Sequence, residues 1–145
     1  MYSMNITVFI NGCGLERPLK VKRMKVLVID DALFTRKVYC KILSKDFEIF
    51  EASNGEEGLK LCTEVNPDLV ICDLLMPGLD GYQFLSMYAR LPSRAPVIIC
   101  TSDVQEETRE KCFELGADEF IQKPSLTDAD SFLKIVRRNI ALQES

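Results

Sequence analysis

The chain has 145 residues, 47% of them hydrophobic and 28% charged, with a formal net charge of −4. That composition fits one soluble globular domain large enough to bury a sizeable core, and it excludes a fibre or a disordered chain. Residues 1–23 carry one acid and four bases while the remainder carries 21 acids and 14 bases, and an acidic body of this kind argues against a nucleic-acid groove. No apolar run approaches the roughly 18 residues of a membrane span, and no basic-then-apolar leader precedes a cleavage site. With no histidine and no C-x-x-C pair among six cysteines, zinc is poorly supported. Cys40, Cys62, Cys72, Cys100 and Cys112 lie inside apolar or amphipathic segments, as the reduced core thiols of a cytoplasmic protein would.

In chain order, Met4 to Ile10 alternates as a short strand and Asn11-Gly12 is a hairpin-type turn, with a second strand expected over Leu19 to Lys22. Two readings of residues 1–23 stay open: an extension that pairs with an edge of the main sheet, or sequence upstream of a start at Met24. From residue 24 to residue 145 the pattern is that of one domain. Val26 to Ile29, Leu69 to Cys72 and Pro96 to Cys100 are continuous apolar runs, the mark of parallel strands buried on both faces. Phe47 to Ala52 alternates, which puts it nearer an edge, and Glu119 to Gln122 is a brief fifth strand.

Helices are expected between them. Leu33 to Leu43 follows a candidate cap at Asp31, and Glu56 to Glu64 and Tyr82 to Arg90 carry apolar residues at helical spacing. Glu106 to Leu115 stops at Gly116, a residue suited to the left-handed position after a helix. Phe132, Ile135, Val136 and Ile140 form one stripe of a last helix. Five alternations of strand and helix predict an α/β domain whose parallel sheet is covered on both faces.

The carboxyl ends of parallel strands emerge at one edge, where ligands gather. The first strand of the domain ends in Asp30-Asp31, the third in Asp73 and the fourth in Thr101-Ser102, and the fifth is followed at once by Lys123-Pro124. Singly, each has a plain structural reading: Asp30 or Asp31 as a helix cap, Asp73 as the opening of the turn at Pro77-Gly78, Lys123 as a solvated charge. Together they place three carboxylates, a hydroxyl and an ammonium at one edge. Three such acids repel one another unless a cation sits among them. All-oxygen ligation points to Mg²⁺, and Mg²⁺ with a carboxylate nucleophile, a hydroxyl and a lysine suits phosphoryl transfer.

Asp30-Asp31, Asp73 with Met76-Pro77 and Gly81 behind it, Thr101, and Lys123-Pro124 resemble, in order and spacing, the signature of the response-regulator receiver family of two-component signalling, over residues 24–143. The resemblance implies a flavodoxin-like, doubly wound five-stranded sheet of order 2-1-3-4-5. It implies that Asp73 accepts a phosphoryl group from the phosphohistidine of a sensor kinase or phosphotransfer protein. Asp31 would bind Mg²⁺ directly, Asp30 largely through water, and the backbone carbonyl of Leu75 would be the third protein ligand. Thr101 and Lys123 would contact the phosphoryl oxygens, and Phe120 occupies the switch-aromatic position. The Lys123-Pro124 bond is expected to be cis, an isomer that proline brings within about 0.5–1 kcal/mol of trans.

The expected signal is a population shift in which Thr101 moves inward and Phe120 follows into the vacated space, remodelling the surface of the fourth helix, fifth strand and last helix, roughly residues 106–138. That surface is expected to meet an unidentified protein effector or a second copy of the chain, with neither nucleic acid nor membrane bound by this chain. Phe120 lacks the phenolic hydroxyl of many relatives, and Ser102 stands where a smaller residue is common. Leu75 and Asp103 flank the site, where Leu75 is expected to shield the acyl phosphate from water. Two other functions compete. A Mg²⁺-dependent phosphatase with an aspartate nucleophile would need a second acid at the position of Leu75 to protonate a leaving alcohol. A binding module that signals without phosphorylation would need none of the site residues.

Overall fold

The computed structural model describes residues 3–10, 13–20 and 23–144, with side chains from residue 23 to residue 142. Its elements are β1 (Ser3–Ile10), β2 (Cys13–Lys20), β3 (Lys25–Ile29), α1 (Leu33–Leu43), β4 (Glu48–Ala52), α2 (Gly55–Val65), β5 (Leu69–Cys72), α3 (Gly81–Tyr88), β6 (Val97–Thr101), α4 (Glu106–Glu114), β7 (Glu119–Gln122) and α5 (Ala129–Glu144).

β3 to β7 form one parallel sheet in the order β4-β3-β5-β6-β7, which is 2-1-3-4-5 counted from the first strand of the domain. The chain therefore reverses direction of travel across the sheet beside β3 and β5, and the crevice of a doubly wound fold opens there. β1 and β2 pair antiparallel in a separate two-stranded sheet, from Ser3 opposite Lys20 to Ile10 opposite Cys13. β2 thus begins at Cys13 and not at Leu19; Gly14, Arg17 and Pro18 weaken the alternation that would have marked it. The Asn11-Gly12 turn expected between the two strands lies outside the described residues.

The core divides by strand parity. Leu27, Ile29, Val70, Cys72, Val97 and Ile99 face α2, α3 and α4, whose Cys62, Phe84, Leu85, Tyr88 and Cys112 cover them. Val26, Val28, Leu69, Ile71, Ile98 and Cys100 face α1 and α5, covered by Tyr39, Ile42, Leu43, Phe132, Val136 and Ile140. Successive strand side chains point to opposite faces, so a run with no polar member must bury both. Each such side chain contributes about 1.5–3 kcal/mol through burial, and truncating Leu27 or Ile71 to alanine would cost about 2–5 kcal/mol.

The helix boundaries follow from their caps. Asn54 accepts the Glu57 N–H at 2.8 Å to start α2, and Asn66, in the left-handed region with φ 53°, ends it. Asp80 and Gln83 form a reciprocal capping box that starts α3, which closes at Tyr88, short of the expected Arg90. Gly116, φ +105°, follows α4 in the expected role. Asp31 does not cap α1. The flanking residue is Ala32, which makes no side-chain cap bond, and the nearby amide of Ala32 is bonded instead by Asp30 Oδ1 at 2.9 Å.

Candidate phosphoacceptor site

Three backbone hydrogen bonds just beyond the strand ends carry the sheet register into the site. Asp30 donates its N–H to Ala52 O at 3.0 Å, Asp73 to Ile29 O at 2.9 Å and Lys123 to Thr101 O at 3.0 Å. The ladder therefore sets where these residues stand relative to one another, and their side chains meet over the carboxyl edge.

Asp73 is 4% exposed. Its Oδ1 accepts the Leu74 N–H at 2.8 Å and its Oδ2 accepts from Lys123 Nζ at 3.2 Å. The same ammonium lies 3.1 Å from Asp30 Oδ2. That second contact is an ion pair without hydrogen-bond alignment, since Asp30 Oδ2 is buried yet has no hydrogen-bond partner. Asp31 is exposed, and one carboxylate oxygen from each of Asp30, Asp31 and Asp73 falls within 4.8 Å of the others.

One lysine cannot balance three carboxylates. Burial, followed by repulsion from Asp30, pushes the Asp73 carboxyl above the usual carboxylate range, and the attraction of Lys123 only partly offsets this. For Lys123 burial pulls the ammonium down, but Asp30 and Asp73 together outweigh burial and its pKa is raised. Three acids against one ammonium leave two negative charges. The residues present fit a divalent cation: the ligands are hard oxygens, and Asp30 Oδ2, paired with Lys123 by charge but without an aligned hydrogen bond, has acceptor capacity to spare.

Thr101, 1% exposed, ends β6. Its Oγ1 accepts the Asp103 N–H at 3.1 Å, which leaves its own proton to donate. The Asp103 carboxylate in turn accepts the Gln105 N–H at 3.1 Å and the Thr108 hydroxyl at 2.9 Å, tying the start of α4 to the end of β6. Phe120, 6% exposed, is packed with Val97, Ile99, Cys112 and Ala117. The expected inward travel of this ring therefore starts from a ring already inside the core. Leu75 is 72% exposed and lines an open cleft of about 510 Å³ with Ser102, Asp103, Val104 and Gln105. A more enclosed cavity of about 460 Å³ between β7 and α5 borders Lys123 but contains neither Asp30 nor Asp73.

Among the described residues no peptide bond is cis, so the Lys123-Pro124 bond is trans, against expectation. Trans is the lower-energy isomer even before proline, and Lys123 reaches both carboxylates from it. The loop after Asp73 is closed by a Gly81 N–H bond to Leu74 O at 2.9 Å, and a Cβ on Gly81 would collide with the Asp73 carbonyl. That close approach is the reason for glycine at this position.

Sequence reasoning brought together Asp30, Asp31, Asp73, Thr101 and Lys123, but it missed two supports. Arg36, only 13% exposed in its side chain, donates from Nη1 to Asp30 O at 2.6 Å and from Nε to Glu51 Oε1 at 3.1 Å. Thr108 holds Asp103. The available signals were a cation one turn into the helix behind the acid pair, and a hydroxyl in the first turn of α4.

Carboxylates, a hydroxyl and an ammonium meet at the switch point of a doubly wound sheet, the place where ligands gather in such folds. Residues 26–137 match the response regulator receiver domain. The chemotaxis protein CheY of Halobacterium salinarum is 42% identical over 112 residues, which cover 74% of this chain and 93% of that one. A protein-glutamate methylesterase/protein-glutamine glutaminase of Syntrophomonas wolfei is 43% identical over 109 residues, 71% of this chain but 30% of the relative. Among solved structures, a chain of the CheX-CheY-BeF3-Mg²⁺ complex of Borrelia burgdorferi superposes with a TM-score of 0.71 at 33% identity, covering 78% of this chain and 86% of that one. The chain belongs to the response regulator receiver domain family. It is a CheY-like receiver domain of two-component signalling, and no helix among its described residues is long and apolar enough to cross a membrane.

Proposed function

We propose that Asp73 is the phosphoacceptor of this receiver domain, taking a phosphoryl group from the phosphohistidine of a sensor kinase or phosphotransfer protein. The observation that carries the reading is the pairing of a buried Asp73 carboxylate with Lys123 inside a three-acid cluster left two charges short of neutrality. An Asp73 oxygen would form the P–O bond as the P–N bond breaks, with the bonding pair returning to the imidazole of the donor. Asp30, Asp31, Asp73 and the Leu75 carbonyl would hold Mg²⁺, which when bound neutralises the acids and the charge on the moving group. Lys123 already faces Asp73 Oδ2 and is placed to pair with a phosphoryl oxygen, and the Thr101 hydroxyl keeps a proton to donate to another.

The output reading rests on the same hydroxyl. If Thr101 turns toward a phosphoryl oxygen, the Asp103 N–H loses its acceptor and the start of α4 loses a tether. The surface of α4, β7 and α5 would then change its population of conformers, and an effector protein or a second copy would read it. Since Phe120 is buried in this state, we assign the larger displacement to the β6–α4 loop.

The test is incubation with a small phosphodonor and Mg²⁺, read by intact mass. The wild type should gain one phosphoryl group and Asp73→Asn none. An unmodified wild type, or equal modification of Asp73→Asn, overturns the reading. A pull-down comparing the phosphorylated protein with Asp73→Asn would then identify the effector.

A further inference from the structure

Every polar group of Asp30 except one is occupied. Its N–H bonds Ala52 O, its Oδ1 takes the Ala32 N–H, and its carbonyl oxygen takes Arg36 Nη1 at 2.6 Å. Only Oδ2 is left, beside Lys123 and without an aligned donor. Asp31, whose carboxylate completes the cluster, is exposed, and its N–H belongs to the peptide whose carbonyl Arg36 grips. The orientation of that peptide plane decides where the chain leaves Asp30 and where the Asp31 side chain projects.

We propose that Arg36 is a positioning residue for the cation site: by bridging Asp30 O to the Glu51 carboxylate it fixes the Asp30–Asp31 peptide, and with it the two acids that face the ion. The proposal rests on reading the acid cluster as a Mg²⁺ site and deepens it. Glu51 sits on the edge strand β4, and β4 pairs in register with β3 from Lys25 opposite Glu48 to Ile29 opposite Ala52. The second prong of Arg36 is thus anchored in the same sheet that supports Asp30. A planar guanidinium reaches both acceptors at once at 2.6 and 3.1 Å, whereas an ammonium on a flexible stem supplies a point charge and cannot span them in a fixed fork. Lys37 lies 3.8 Å from the other Glu51 oxygen but is 63% exposed, so it adds little constraint.

Electrostatics alone predicts the opposite sign. A fixed positive charge near a cation site repels the ion, so its removal would tighten Mg²⁺ binding. Loss of an outer support that orients ligands weakens metal binding by about 10–100-fold.

The experiment is calorimetric titration of the unphosphorylated full chain with Mg²⁺ alone, for the wild type, Arg36→Lys and Arg36→Met. Arg36→Lys keeps the charge and loses the fork, and its Kd should rise several-fold. Arg36→Met keeps the stem and loses both, and its Kd should rise about tenfold. A wild-type Kd for Arg36→Lys, or a Kd at or below wild type for Arg36→Met, overturns the proposal. Should Arg36→Met fail to fold, Arg36→Lys decides alone, because its charge is unchanged and any weakening must come from geometry. A wild type that binds no Mg²⁺ removes the metal-site reading and the proposal together, and it is told apart from failure of the proposal by the wild-type titration itself.

Discussion

The two rims of the site are held in different ways. On the acid rim, at the end of β3, Asp30 is gripped through its N–H, its carbonyl and one carboxylate oxygen by Ala52, Arg36 and Ala32. On the hydroxyl rim, at the end of β6, the Asp103 N–H bonds Thr101 Oγ1, and the Asp103 carboxylate relays that contact to Gln105 and Thr108 at the start of α4. On the proposed function, the first rim would stand still while charge arrives. On the second, the anchoring oxygen is the one a phosphoryl group would compete for. The proposed function would use both, since a metal pair that drifted would lose the ion and a signalling loop that could not drift would carry no message.

Lys123→Ala attacks the acid rim most directly. It leaves Asp30 and Asp73 buried together without a counter-charge, and the metal-free protein should lose about 2 kcal/mol, below the roughly 3–5 kcal/mol of a fully buried pair because Lys123 keeps partial access to water. Denaturant unfolding measures this, and added Mg²⁺ should restore part of the loss. No difference between Mg²⁺-free and Mg²⁺-loaded variants would mean that the ion does not relieve the repulsion.

Asp73→Asn should do the reverse. The folded state raises the Asp73 pKa, chiefly by burial, so ionisation of this group costs stability at pH values above that raised pKa, and the cost disappears as the pH falls into the ordinary carboxylate range. The variant should therefore unfold a few degrees higher than the wild type at neutral pH without Mg²⁺, with the gap closing in acid. A gap that stayed constant down to low pH would assign the effect to something other than this charge.

Thr108→Val sharpens the contrast with the smallest effect. It deletes one hydroxyl from the relay of the second rim, at a global cost of about 1 kcal/mol. Amide exchange in the first turn of α4 should quicken without phosphorylation, while amides of α1 behind the acid rim keep wild-type rates. Equal acceleration in both places would erase the distinction between the rims.

The central strands are legible because they are unmixed apolar runs, as in Leu69–Cys72, and the short mixed strand Glu119–Gln122 also stands where it was expected. Asp30, Asp31, Asp73 and Thr101 are legible because each ends or follows such a run, and Lys123 because it follows the brief last strand and precedes Pro124. The support of Arg36 was not, because whether a helical arginine faces solvent or a backbone carbonyl depends on how α1 is rotated on the sheet. The cap expected from Asp31 at α1 is not made: the flanking residue is Ala32, without a side-chain cap bond, and of the two adjacent acids it is Asp30 that bonds the Ala32 N–H. β2 was obscured by Gly14 and Pro18, which carry little strand preference.

One consequence of the Gly81 contact concerns chain length. Because Gly81 closes back on Leu74 and presses against the Asp73 carbonyl, the segment between them is a ring of fixed circumference and not an ordinary surface loop. Surface connections usually accept extra residues at little cost. An inserted residue between Leu74 and Gly81 would have to break that closure. The spacing from Asp73 to Gly81 is thus held by backbone contact and does not vary as an ordinary loop length does.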